Sequence, residues 1–135
     1  QLAGHNRKGS PWRIAIEVPS LLQSGVEKVI AVTNIGVATS GDYRNYFERD
    51  GVRYSHTIDP RTGKPITHNL ASVTVLADTA GVADALATAF MVMGAENTLE
   101  LAGQRDIPAY LLIKADDGFE ASHSEAFKPY LNGAE

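Results

Sequence analysis

Cysteine is absent from the 135 residues. That excludes disulfides, thiolate metal sites and a cysteine nucleophile within the chain, and leaves its redox compartment open. Long apolar runs are absent too: no stretch approaches the roughly 18 uncharged residues that a membrane-spanning helix requires. Positive charge is scarce and scattered, with 12 Lys and Arg against 16 Asp and Glu and a formal net charge of −4. No basic run tracks a phosphate backbone, so the chain has no general affinity for nucleic acid or anionic lipid. The phosphate-cradling P-loop, the dinucleotide glycine fingerprint, the serine nucleophile elbow and zinc-ligand spacing are all missing. So are internal repeats, low-complexity tracts and linkers. The chain starts at Gln1 with no methionine and no signal-like segment, which predicts a processed product or a piece of something longer.

What is present reads as one globular domain, 44% hydrophobic and 21% charged over residues 1–135, long enough for one core and too short for two. Residues 4–11, GHNRKGSP, are a polar, turn-rich connection. WRIAIEV (12–18) and VEKVIAV (26–32) alternate apolar and polar positions with the period of half-buried strands, with the loop SLLQSG between them. NIGVATSG (34–41) is a third strand, and YRNYFERDGVRYSHTI is a hairpin turning at Asp50-Gly51. Its aromatics Tyr43, Tyr46, Phe47 and Tyr54 are expected to pack across the strands. DPRTGKPITHN (59–69), with two prolines and a glycine, is a long ordered loop, and LASVTVLA (70–77) is a strong strand. Asp78 or Thr79 caps an apolar helix that Gly94 ends, and AENTLELAGQ is a second helix ended by Gly103. IPAYLLIKA (107–115) and FEASHS pair around the turn Asp116-Asp117-Gly118, and the tail EAFKPYLNGAE is expected to fray. Antiparallel strands with two adjacent helices predict an α+β fold.

Three stretches carry candidate chemistry. In the first helix Asp84 and Thr88 are the polar side chains of an otherwise apolar segment, four residues apart and so one turn above each other. Val82, Leu86 and Met93 mark one apolar stripe, with Asp84, Thr88 and Met91 roughly opposite. Burying an unpaired carboxylate is costly. The face is therefore solvated, hydrogen-bonded to backbone, or bound to a cation such as Mg²⁺, which suits carboxylate and hydroxyl oxygens. In TSGDYRNY (39–46) a Thr-Ser-Gly turn either offers N–H groups and hydroxyls to an anion or is only a turn, and Arg44 is either a phosphate contact or a surface stack. In HTIDPRTGKP, His56 is a general base, a phosphate contact, or a strand histidine bonded to its loop. His5, His68 and His123 have no partners at ligand spacing and receive no role.

The order SGDYRNYF, HTIDPRTGKP, SVTVLADTAGVADALATAFMVMG resembles the ApbE family of FAD:protein FMN transferases, from about Trp12 to about Ile113. The resemblance implies a T-fold-like α+β architecture and a reaction. Mg²⁺ and FAD are used, FMN is transferred to a threonine or serine hydroxyl of a target protein, and AMP is released. Some relatives of this kind instead hydrolyse FAD to FMN and AMP, and a non-catalytic FAD-binding module is a further alternative. Position by position, the resemblance makes Asp84 and Thr88 the Mg²⁺ ligands. It sets Ser40 and Gly41 in the turn that contacts FAD, His56 beside the flavin as the residue implicated in transfer, and Ile58, Asp59 and Pro60 along the cofactor pocket. Asp59, or a residue outside this chain, is the competing candidate for the base. Family members exceed twice this length and the match places Gln1 well inside the family pattern, which makes the chain a C-terminal part or one whose missing half was lost or is supplied separately. The missing half is expected to carry more of the FAD pocket, a backbone oxygen for the metal, and any lipoprotein signal. By the same resemblance the parent is periplasmic and lipid-anchored, and the acceptor is a subunit of an ion-pumping redox complex.

Overall fold

A computed structural model describes residues 1–19, 25–42 and 46–132, apart from the side chains of 46, 47, 52 and 53. The strands are β1 (Trp12–Glu17), β2 (Val26–Val32), β3 (Gly36–Gly41), β4 (Tyr46–Arg49), β5 (Val52–Ser55), β6 (Ile58–Asp59), β7 (Lys64–Pro65) and β8 (Leu70–Ala77). Helices α1 (Ala80–Met93) and α2 (Ala95–Gln104) follow, then β9 (Ala109–Ala115), β10 (Gly118–His123), a 3₁₀ turn (Glu125–Phe127) and α3 (Lys128–Leu131). The fold is α+β, with every strand pair antiparallel. The expected packing of Tyr43, Tyr46 and Phe47 and the contact considered for Arg44 fall outside the described residues, as does most of the loop after Pro19.

The central sheet has the order β10-β9-β8-β3 and is covered on both faces. Strand period two sorts its side chains. Val73, Val75, Ala109 and Leu111 meet Ala87, Phe90 and Met91 of α1 and Ala102 of α2. Leu76, Tyr110 and Leu112 meet Ile16, Ile30 and Val32 of the β1-β2 hairpin and Phe127 of the tail. Burial on both sides makes β8 a nearly continuous apolar run, buried from Leu70 to Leu76. A register shift between Leu70 and Ser72 lets Leu70 join Val73 and Val75 on the helix side. Two buried threonine hydroxyls are matched: Thr74 with Thr39 at 2.7 Å, and Thr98 donating to the Phe90 carbonyl at 3.0 Å.

Four expectations are corrected. The tail does not fray through Leu131, because Phe127 is fully buried among Tyr110, Tyr130 and the hairpin side chains. Helix α2 runs past Gly103 to Gln104 with Arg105 as its cap, and its glycine sits inside the helix on the solvent side. The 59–69 loop contains a miniature hairpin, β6 with β7, closed by Gly63 at φ 66°. The buried stripe of α1 is Ala83, Ala87, Phe90 and Met91, whereas Val82 is 50% exposed. The sheet selects the small face of this helix, because two alanines let the backbones approach closely.

Candidate functional site

Helix α1 starts where the hydroxyl of Thr79 accepts from the Val82 N–H at 3.2 Å and ends at Gly94, whose φ of 80° suits a glycine. Between these caps its alanine face lies on β3 and β8. Asp84 and Thr88 therefore face outward and are exposed. Solvation of that face relieves the desolvation cost that burial would have imposed on Asp84. The side chain is open to a ligand rather than trapped in a core.

The neighbour of this face is β3. At the strand's start, Gly36 lies so close to the first turn of α1 that a Cβ there would sit 2.2 Å from the Thr79 carbonyl carbon. At its far end Ser40, paired with Val73 and thus on the helix side of the sheet, brings its Oγ to 3.4 Å from the Thr88 Oγ1. Ser40 and Thr88, singled out in separate motifs, are thereby brought together. With Asp84 one turn along, the face offers one carboxylate and two hydroxyls. Hard oxygen donors of this kind fit Mg²⁺, with the remainder of an octahedron left for water, phosphate or other backbone. No cluster of three or more His, Cys, Asp and Glu side chains gathers among the described residues.

His56 follows β5 and is exposed, and the chain after it is held by backbone bonds: Thr57 N–H to the Ser55 Oγ at 3.1 Å and Ile66 N–H to the Thr57 carbonyl at 3.0 Å. Ile58 is 46% exposed on this loop. Asp59 is engaged by Arg61, with Oδ1 accepting from the Arg61 N–H at 2.9 Å and from Nε at 3.0 Å, and Oδ2 accepting from Nη2 at 2.8 Å. The Arg61 side-chain bonds, its backbone N–H and its charge hold the Asp59 carboxyl below the usual carboxylate range. A carboxylate so occupied is a weak base. Pro60 begins the turn between β6 and β7.

Two connections joining these segments were invisible in the sequence. The His68 Nδ1 accepts from the Leu70 N–H at 3.3 Å, so its Nε2 carries the proton and donates to the Met91 carbonyl at 2.7 Å. One ring thus ties the 59–69 segment to the last turn of α1, where carbonyls lack helical partners. The second connection is Lys114 on β9, which donates to Asp42 Oδ2 at 2.7 Å directly after Ser40 and Gly41, which end β3 in register with β8 rather than forming the expected turn. A cavity of about 320 Å³ lies there, with Asp42, Lys114, Ser55 and His68 in its wall. Asp42 continues from Gly41 and Ser55 precedes His56, so the cavity adjoins two of the three motifs. Asp42 and Lys114 are 72 residues apart, a separation at which no local pattern signals a pair.

The ApbE family model matches residues 1–111. The chain is 53% identical over 132 residues to the FAD:protein FMN transferase of Vibrio cholerae serotype O1, an alignment covering 98% of this chain and 40% of that protein. It is 50% identical to the Haemophilus influenzae protein of the same name, over 93% of this chain and 36% of that one. Among solved structures, the apo form of Pseudomonas stutzeri flavinyl transferase ApbE superposes with a TM-score of 0.80 at 46% identity, covering 98% of this chain and 41% of that one. Flavin transferase ApbE from Vibrio cholerae superposes with a TM-score of 0.82 at 50% identity, covering 95% and 40%. The chain therefore spans less than half the length of these relatives.

Proposed function

The chain belongs to the ApbE family, and from that premise we propose that it forms the C-terminal, metal-bearing part of an FAD:protein FMN transferase. The reaction is Mg²⁺-dependent transfer of FMN from FAD to a threonine or serine hydroxyl. The attacking hydroxyl oxygen forms a bond to the FMN phosphorus, the phosphoanhydride P–O bond breaks, AMP leaves with that oxygen, and the hydroxyl proton passes to a base. Bound Mg²⁺ supplies charge neutralisation on the phosphates and orients them. Asp84 and Thr88 are the residues of this chain that would hold it. Ser40 and Gly41, at the end of β3, contact the flavin, Ile58, Asp59 and Pro60 form the pocket wall, and His56 accepts the proton or stabilises the phosphoryl group. Engagement of Asp59 by Arg61 argues for His56 over Asp59 as the base.

The observation that carries this reading is the meeting of two motif segments at Ser40 and Thr88, which puts two hydroxyls and the Asp84 carboxylate on one exposed face. Relatives named for the reaction match nearly all of the chain. The acceptor we propose is a protein of an ion-pumping redox complex, and the parent a periplasmic lipoprotein. Among the described residues no helix is long and apolar enough to cross a membrane. The test is incubation of the full-length protein with FAD, Mg²⁺ and a threonine-bearing acceptor. The expected result is an acceptor heavier by one FMN moiety with equimolar AMP. Free FMN with an unmodified acceptor would establish hydrolysis instead, and FAD binding without AMP release a carrier module.

A further inference from the structure

We propose that Ser40 is a positioning residue for Thr88, acting through the proton of the Thr88 hydroxyl; this rests on the metal reading above. A hydroxyl that gives a lone pair to a cation must direct its single proton elsewhere. A threonine inside a helix has a default partner for that proton, the carbonyl one turn back, which for Thr88 is that of Asp84. Thr88 does not make that bond. Its Oγ1 faces Ser40 Oγ at 3.4 Å, the side-chain partner it has among the described residues. Partners of this kind commonly fix the orientation of a ligand and set its strength.

The fold holds Ser40 in place for this task. Strand β3 is paired residue by residue with β8 from Gly36 to Gly41, and Thr39, pointing to the opposite face, is bonded to Thr74. Ser40 therefore presents its hydroxyl to α1 from a fixed backbone. Asp42, two residues on, is anchored by its N–H to the Ala71 carbonyl at 3.1 Å and by Lys114. The role differs from a flavin contact, because it operates on the metal ligand whether or not flavin is present.

That difference defines the experiment. The full-length protein, freed of flavin, is titrated calorimetrically with Mg²⁺ alone, as wild type, Ser40→Ala, Ser40→Thr and Asp84→Ala. We expect Ser40→Ala to weaken Mg²⁺ binding by roughly 10–100-fold, Ser40→Thr to restore most of it, and the melting temperature in EDTA to be unchanged. Wild-type Mg²⁺ affinity in Ser40→Ala, with only FAD affinity reduced, overturns the positioning role and leaves the hydroxyl to the flavin. If Asp84→Ala also binds Mg²⁺ as wild type does, the metal reading itself fails and the positioning role with it. Loss in Asp84→Ala but not in Ser40→Ala sinks the positioning role alone.

Discussion

Gly36 and Thr79 touch backbone to backbone: a Cβ on Gly36 would lie 2.2 Å from the Thr79 carbonyl carbon and 2.3 Å from the Ala80 nitrogen. This contact sets the starting point from which β3 and α1 run side by side. The four residue steps from Gly36 to Ser40 along the strand advance about 13 Å, and the eight steps from Ala80 to Thr88 along the helix advance about 12 Å. The near-equality of those lengths is why Ser40 arrives opposite Thr88.

Gly36→Ala is expected to force the first turn of α1 off the sheet, destabilising the protein by about 1–3 kcal/mol or more. Gly103→Ala should do the reverse. Its Cβ meets nothing within 4 Å, and alanine inside a helix is favoured over glycine by roughly 0.5–1 kcal/mol. Urea unfolding of the two variants should show midpoints displaced in opposite directions.

Asp84→Ala removes an exposed carboxylate and should leave the unfolding midpoint near that of wild type. Losing several kcal/mol of metal-borne stabilisation of the phosphates would lower Mg²⁺-dependent AMP release by about a hundredfold or more. Unchanged AMP release at saturating Mg²⁺ would remove Asp84 from the metal site.

His56→Gln keeps a polar side chain of similar reach without a titratable ring. Transfer to the acceptor hydroxyl should fall about 10²–10⁴-fold while FAD affinity, read by flavin fluorescence, is retained. A variant that transfers FMN at the wild-type rate assigns the proton to another group.

The Asp59–Arg61 pair makes a prediction about pH. Because the folded Asp59 carboxyl is held low by Arg61, its support for the loop is fully present above the unfolded carboxyl value, about pH 4. It is lost as pH falls through the lower folded value. An NMR titration of the Asp59 carboxyl should give a depressed midpoint that returns to the ordinary range in Arg61→Ala. Identical midpoints in both proteins would show that Arg61 does not hold it.

Phe127→Ala should cost about 3–5 kcal/mol, as for other fully buried phenylalanines, although the residue lies in a tail whose sequence reads as fraying. Differential scanning calorimetry would register it as a lower melting temperature. A drop of a degree or less would mean that the tail contributes little to the core.

Local patterns determined a good deal of this protein. Strand period two located β1 and β2, apolar runs located β8 and β9, and Thr79 and Gly94 bracketed α1, because such patterns and capping are properties of neighbouring residues. The resemblance of three short motifs identified the family. Which face of α1 is buried was decided by the sheet it packs on. Small alanines admit β3 and β8 more closely than Val82 or Leu86 would, and so Asp84 and Thr88 were turned outward. The Phe127 anchor, the Asp42–Lys114 pair, the His68 tie to Met91 and the meeting of Ser40 with Thr88 all join residues remote in sequence. Their partners are supplied by strand order and helix length, which exist only once the chain has folded.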